Sequence, residues 1–584
     1  MAKKVAGNLD DSLTDIRITD FSGGLNTFNG PLTLASNETP QCQNVLGFPG
    51  RLLYNGGYNL EATLPATSNP DNDWEFYDVN NIKHHIVWAN GNMYDTASGT
   101  SVLIATAVYT AGQPIGRIDQ FGILYWISTN VNLQQYNGTT NTTVTSSGGA
   151  GNSGPPNGGT YLTSFAGSLI CANPKYSGVV NVGAYIYCNV NDPTTWLGAN
   201  IYNFGQNQYI EWLVPMGVSA AGVPPSGGFI AGCAINLFLV EGPLNSATVR
   251  IVNCPVGAKE PNSAQFLPAG DQLGAVTFLA ADGQIWQSNG LSAKCISLKI
   301  LNLVYNLVQN AVTQNPSGTF FGCYNERYQY YLIDMQNGQQ LAYRWQTEAW
   351  FYFQGWPSGC FMNGHDSNGY PVNLVAAKNI STVSPGMYTL GVDGALYGTA
   401  PPSIFYSTPY LHGGQPGLMK EYQWVELDML NNYNTYTVQG TTLATSGNVT
   451  QSSNLLTFSA PAVAGAQSTG SALWGSGIWG TSIWGGTGTP FLSPPCTVKG
   501  MLSVTVPVGS SVWANKISTQ PLRSNAVSFT IAWAMSSSVS GLPAFDITGF
   551  CARIAPRGRK PIGGTGYSAQ SGVIPVGTDP YSVS

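Results

Sequence analysis

The sequence predicts a mainly β protein: an irregular β-propeller with an N-terminal extended arm, a C-terminal β-sandwich and one conspicuous helix near 297–312. Three observations carry that expectation. The first is composition: 584 residues hold 70 glycines, 36 prolines and 11% aromatic residues, but only 9% charged ones. Disordered chains lack aromatics, so this mixture fits short strands joined by tight turns. Second, apolar runs of about five residues alternate with turn signals from about residue 75 to 400. The third is a recurring unit of a small apolar residue, Asn or Asp, Gly, any residue, an apolar residue and an aromatic. It stands at Ala89-Asn-Gly-Asn-Met-Tyr94, Ala281-Asp-Gly-Gln-Ile-Trp286 and Val392-Asp-Gly-Ala-Leu-Tyr397. Asn-Gly and Asp-Gly suit a two-residue hairpin turn, whose central positions both need φ > 0.

Residues 1–75 read as an irregular arm. Residues 76–400 read as the propeller. Further hairpins fall at Phe121–Ile127, Tyr161–Ile170, Phe229–Phe238 and Tyr328–Ile333, and the spacing of centres is close to that of a four-stranded blade. Ile300, Val304, Leu307, Val308 and Ala311 recur with helical period inside Ser297–Val312, so a helix is expected to pack on a blade. Residues 401–555 read as a β-sandwich, because Tyr422–Met429, Met501–Val506, Ala526–Trp533 and Phe545–Ile554 alternate at period two. A Gly/Ser/Thr-rich loop is expected at about 440–495. It carries Trp474, Trp479 and Trp484, and a five-residue period fits neither helix nor strand. Residues 556–584 hold Pro556, Pro561, Pro575 and Pro580 and read as an extended C-terminal arm that docks on another chain.

Several function classes lose support on these residues. With 22 Lys+Arg against 28 Asp+Glu the net charge is −6, which argues against a nucleic-acid binder of basic type. The longest mostly apolar stretch, Phe229–Val240, is too short to span a membrane, and the N-terminus lacks the apolar core of a secretory signal. Ten cysteines show no C-x-x-C pair and mostly sit in apolar runs, so free thiols in a reducing cytosol are expected. Asp71-Asn-Asp73 begins like a calcium loop without its sixth-position Gly, and reads as a polar turn. Adjacent His84 and His85 point to opposite faces of a strand and read as exposed, so no shared metal is expected. No nucleophile elbow, P-loop or zinc-protease motif occurs. Gly475-Ser-Gly-Ile-Trp-Gly480 matches a dinucleotide fingerprint only without its strand and helix. The expectation is a protein without catalytic activity or cofactor. Its candidate assembly contacts are Trp474, Trp479 and Trp484 together with the basic cluster Arg557, Arg559 and Lys560.

The N-terminal pattern adds a resemblance. Phe21-Ser-Gly-Gly-Leu-Asn26, Pro31-Leu32, Asn37-Glu38, Gln43-Asn44, Gly50-Arg-Leu52 and Gly56-Gly-Tyr58 resemble the opening of tail proteins of double-stranded DNA phages, with Tyr54-Asn-Gly-Gly57 where that family has Arg-Pro-Gly. The Asp-Gly hairpin, the helix after it and the aromatic cluster Tyr343-Arg-Trp-Gln-Thr-Glu-Ala-Trp-Phe-Tyr352 look like the β-propeller nozzle or tail-hub proteins of short-tailed phages. The resemblance implies a virion tail protein made in the host cytoplasm, assembled as a ring of identical copies of itself, six by family resemblance. It also implies docking of other tail or adaptor proteins and tail fibres, and transient passage of genomic DNA. A receptor-binding fibre or spike subunit, or a secreted carbohydrate-binding surface propeller, is the alternative class. Three Trp-Gly steps would make a costly exposed patch unless covered. Replacing Trp474, Trp479 and Trp484 together by Ser is therefore expected to impair folding or assembly. Normal particles with lost adsorption to host cells would instead mark a receptor site.

Overall fold

The computed structural model describes residues 14–409, apart from 31–32, 150, 206–207, 217–227, 270–271, 315–318, 367–368, 379–382 and 393–402. Beyond 409 it describes the backbone of strands between 420 and 556. The chain divides into two units, Asn55–Ala400 and the joined segments Met1–Tyr54 and Pro401–Ser584.

The unit Asn55–Ala400 is a seven-bladed β-propeller. Each blade is a four-stranded antiparallel sheet whose first strand lies innermost. The seven innermost strands are Pro70–Tyr77, Ile115–Gln120, Tyr161–Phe165, Ile210–Met216, Gln265–Ala269, Gly322–Asn325 and Gly359–His365. Each touches the next, and the seventh touches the first, so the ring is closed. Closure joins distant parts of the chain. The outermost strand of blade seven is Gly57–Thr63, paired antiparallel with Gly386–Val392 through Gly386↔Thr63 and Leu390↔Tyr58. The rings of Tyr58 and Tyr388 meet edge to face at 5.4 Å across that pair.

The cores lie between blades. Trp88 and Trp126 meet at 5.9 Å between blades one and two, and Trp212 meets Phe278 at 5.2 Å between blades four and five. A blade inside the ring has neighbours on both faces, so its middle strands are buried on both, as in Lys83–Ala89, Ser168–Ala172 and Gly228–Cys233. That is why they read as continuous apolar runs and not as alternation. Where innermost strands converge, side chains run out of room. A Cβ on Gly116 would stand 2.5 Å from the Leu162 amide nitrogen of blade three.

The expected hairpins are met in part. Asn90 (φ 50°) and Gly91 (φ 81°) form the left-handed pair expected between Lys83–Ala89 and Asn92–Asp95. The turn at Asp282 differs: only Gly283 (φ 75°) is left-handed. Asp282 spends its carboxylate on the Gln284 amide (2.9 Å) and Trp286 Nε1 (3.0 Å). The third hairpin lies outside the described residues beyond Val392. The helix spans Leu301–Gln314 behind a short 3-10 turn, Leu298–Ile300, and buries Ile300, Val304, Leu307, Val308 and Ala311 as its period predicts. It packs over a turn at the end of blade five, where a Cβ on Gly283 would be 3.7 Å from Val308 Cγ1.

The expected arm over 1–75 does not hold as one element. Gly57–Thr63 and Pro70–Tyr77 are propeller strands, and residues up to Tyr54 belong to the other unit. There Thr14–Ile18 and Arg51–Tyr54 both pair with Phe545–Pro556. One sheet of that unit runs Ser511–Val512, Lys420–Asn431, Phe545–Pro556, Arg51–Tyr54, Val45–Phe48. A second runs Gln41–Gln43, Ser403–Ser407, Ser528–Ala534, Asn448–Ala460, Cys496–Pro507. Asn448–Ala460 falls inside the expected 440–495 loop. It pairs on both sides, with Cys496–Pro507 and with Ser528–Ala534. A strand needs a partner, and the partners of these early strands come from the other end of the sequence.

Trp88 is fully buried and central to the first inter-blade core. Trp88→Ala should cost about 3–5 kcal/mol of stability, read as a large drop in melting temperature. Val102→Ser, at a 54% exposed outer-strand position, should change stability by no more than about 0.5 kcal/mol.

Candidate functional site

The ring sets two groups of titratable side chains where sequence patterning alone showed strands. The first lies at the end of the axis where the innermost strands begin. Arg117, early in blade two's innermost strand, donates from Nε to the Asp73 carbonyl of blade one (2.9 Å). From Nη1 it reaches Asn262 Oδ1 (3.2 Å), in the segment leading into blade five. Blades two and five face each other across a seven-membered ring, so this side chain spans the axis. Its guanidinium also lies 5.2 Å over the Trp74 ring.

Around it are carboxyls that hold their protons unusually tightly. Burial pushes Asp73 up to about 8, against the pull of Arg117 and the Ala376 amide. Glu211, second residue of blade four's innermost strand, is pushed up to about 8 by burial and by the neighbouring Glu260. Glu260 itself is raised to about 7 by burial, with Lys259 and Lys378 opposing. Asp334 is raised to about 6 by burial. Its Oδ1 still accepts from Ser358 Oγ (2.9 Å) and Gln340 Nε2 (3.3 Å). Near neutral pH this set carries much less negative charge than its residue types suggest.

The second group closes the seam between blades one and seven. Glu75 Oε2 lies 2.5 Å from His85 Nε2, and Glu75 Oε1 lies 2.7 Å from His365 Nδ1. The His365 amide donates to Oε2 at 3.0 Å. These histidine contacts hold Glu75 below the usual carboxylate range despite burial. On the other face of the same strand, His84 Nδ1 lies 2.6 Å from Asp95 Oδ2 and stacks on Phe76. That bond raises the His84 imidazole above its ordinary value. Lys83 Nζ donates to the His365 carbonyl at 2.6 Å.

These findings correct two expectations. His84 and His85 do point to opposite faces, but both are buried, because both faces of a blade are covered by neighbours. Asp71-Asn-Asp73 is not a turn; it lies in the innermost strand Pro70–Tyr77, with Asn72 and Asp73 fully buried. Asn72 Nδ2 donates to the Ile115 carbonyl of blade two. The eight cysteines whose side chains are described are free, six of them buried. Among the described residues no group of three or more His, Cys, Asp or Glu is gathered for a metal ion, and no helix is long and apolar enough to cross a membrane. Trp474, Trp479, Trp484, Arg557, Arg559 and Lys560 lie outside the described residues. Arg117, Glu75 and His365 were missed because their meaning depends on blades far apart in sequence, and no local spacing marks them.

No protein-family model matches the chain, and no curated protein matches it. Among solved structures it is similar to BamB from Moraxella catarrhalis, with a TM-score of 0.34 at 9% identity over 65% of this chain and 97% of that one. It is also similar to BBS1N in complex with ARL6DN, with a TM-score of 0.31 at 9% identity over 50% of this chain and 88% of that one.

The raised carboxyls set a sign for the pH dependence of stability. Glu211 binds its proton more tightly folded than at its ordinary 4.5, so its contribution is lost as pH rises from about 4.5 towards about 8. His84 is raised as well, and its contribution is lost as pH climbs above 6.5. Glu211→Gln should therefore leave the melting temperature nearly unchanged close to pH 4.5. At pH 8 it should raise stability by about 1–2 kcal/mol, after allowance for partial exposure.

Proposed function

We propose that the chain is a structural subunit of a homo-oligomeric ring at the end of a short phage tail, a nozzle or hub. In this reading six copies surround a passage for genomic DNA, and other tail or adaptor proteins and tail fibres dock on them. The protein acts in the virion after synthesis in the host cytoplasm, and has no catalysis of its own.

The observation that carries the reading is the inward spending of a scarce charge. Only 9% of residues are charged, and in the propeller Arg117, Glu75 and Asp334 are tied up between blades. The charged groups that remain outside, such as Asp119, Lys294 and Glu348, are sparse and of both signs. Such a surface lies well against copies of itself, and it does not hold phosphates as a basic lining would. Arg117 spanning the axis means that duplex DNA has no route through a single propeller. A conduit must then form between copies, which is the arrangement the N-terminal resemblance implies.

Native mass measurement and electron microscopy of assembled particles test this. A closed ring of identical copies, six by resemblance, is expected. A trimer would point to a fibre or spike, and a strict monomer in the particle would contradict the proposal.

A further inference from the structure

One end of the propeller carries apolar side chains that the interior does not use. It is the end formed by the turns between first and second strands and between third and fourth strands. Phe121 is 70% exposed, Tyr370 68%, Val79 67%, Val190 64% and Ile82 55%, with Tyr77 beside them. They form a contiguous strip. A Cβ on Gly122 would stand 2.6 Å from the Val79 amide nitrogen, so the turns of blades one and two touch. Gln120 Nε2 donates to the Gly167 carbonyl at 3.0 Å, and a Cβ on Gly167 would meet Val190 at 3.0 Å, which extends the strip to blade three. Tyr77 meets His365 edge-on at 6.3 Å, joining the strip to blade seven and Tyr370.

Phe121 makes this strip more than ordinary exposure. It occupies the first position of a two-residue turn at φ 53°, the one aromatic with positive φ among the described residues. Asn or Gly would sit there without strain, as Asn90 and Gly91 do in blade one. A strained backbone holding an exposed ring is a feature with a use outside the subunit's own stability.

The strip is bordered by acids. Asp119 is exposed, and Asp192 is held ionised by Thr194 and Thr195. Asp366 lies beside Tyr370, whose amide donates to it at 2.9 Å. Lys83, the base beside the strip, has its ammonium on the His365 and Asp366 carbonyls. The strip therefore suits a partner with a few cations followed by widely spaced apolar groups. Residues 557–584 have that order: Arg557, Arg559 and Lys560, then Ile562, Tyr567, Val573, Ile574 and Tyr581, with prolines that forbid a helix. A segment of 28 residues can reach about 90 Å when extended, enough to cross a subunit boundary.

We infer that residues 557–584 of a neighbouring copy dock on this apolar strip, cations against Asp119, Asp192 and Asp366 and aromatic groups against Phe121 and its neighbours. The inference rests on the homo-oligomeric reading and names the contact that holds it together.

The test uses the full chain with a photoreactive benzoylphenylalanine in place of Tyr567. Assemblies are made from isotope-labelled and unlabelled copies mixed, then irradiated. The expected result is mixed-isotope cross-links from position 567 to residues 77–82 or 119–122. Phe121→Asn with Ile82→Ser removes the apolar groups and keeps the left-handed turn. It should lower those cross-links about tenfold, a loss of about 1.4 kcal/mol in affinity, without lowering the melting temperature. Cross-links that land elsewhere, join only same-isotope peptides or survive the double variant overturn the docking while leaving a ring intact. A wild-type chain that is monomeric by native mass sinks the ring reading, and the docking with it.

Discussion

Everything in the propeller depends on one pairing, that of Gly57–Thr63 with Gly386–Val392. Four-stranded sheets with two apolar faces cannot stand alone in water. Each is stable only between two neighbours, and a row of them has two bare ends. Bringing the ends together costs chain entropy, though that cost grows slowly with loop length. The closing strand offsets it by giving blade seven its fourth strand from the beginning of the propeller, and contact between Gly359–His365 and Pro70–Tyr77 then covers both ends at once.

The polar chemistry follows from that geometry. Innermost strands converge, so residues such as Asp73 and Arg117 must lie in a narrow, poorly solvated space. Carboxyls there keep protons, and Arg117 is satisfied by a carbonyl and an amide from blades on different sides of the axis. At the seam between first and last blades, Glu75 joins one histidine from each, tying the closure with charge-assisted bonds as well as with a strand. Both groups serve the ring.

Much of this architecture is legible in the sequence where the signal is local. The helical period of Ile300, Val304, Leu307, Val308 and Ala311 and the Asn90-Gly91 turn are matched residue by residue. What depends on remote partners is not. Gly57–Thr63 reads as part of an arm because its partner lies beyond residue 385. His84 and His85 read as exposed because a two-faced strand looks alternating only if one face is wet, and here neither is. Glu75 carries no motif; its role comes from His365, at the far end of the ring. Asp282 shows a further limit, since an Asp-Gly pair allows a second turn geometry when the carboxylate bonds forward to Trp286.

Hydrogen exchange under native conditions tests the dependence on closure most directly. If the ring stands or falls with this pairing, the hydrogen-bonded amides of Gly57–Thr63 and Gly386–Val392 exchange only with global opening of the propeller, at the same rate as those of the buried strand Ser168–Ala172 in blade three. Early exchange of Gly57–Thr63 while blade three stays protected would show that the ring holds without its closing strand, and would contradict the account.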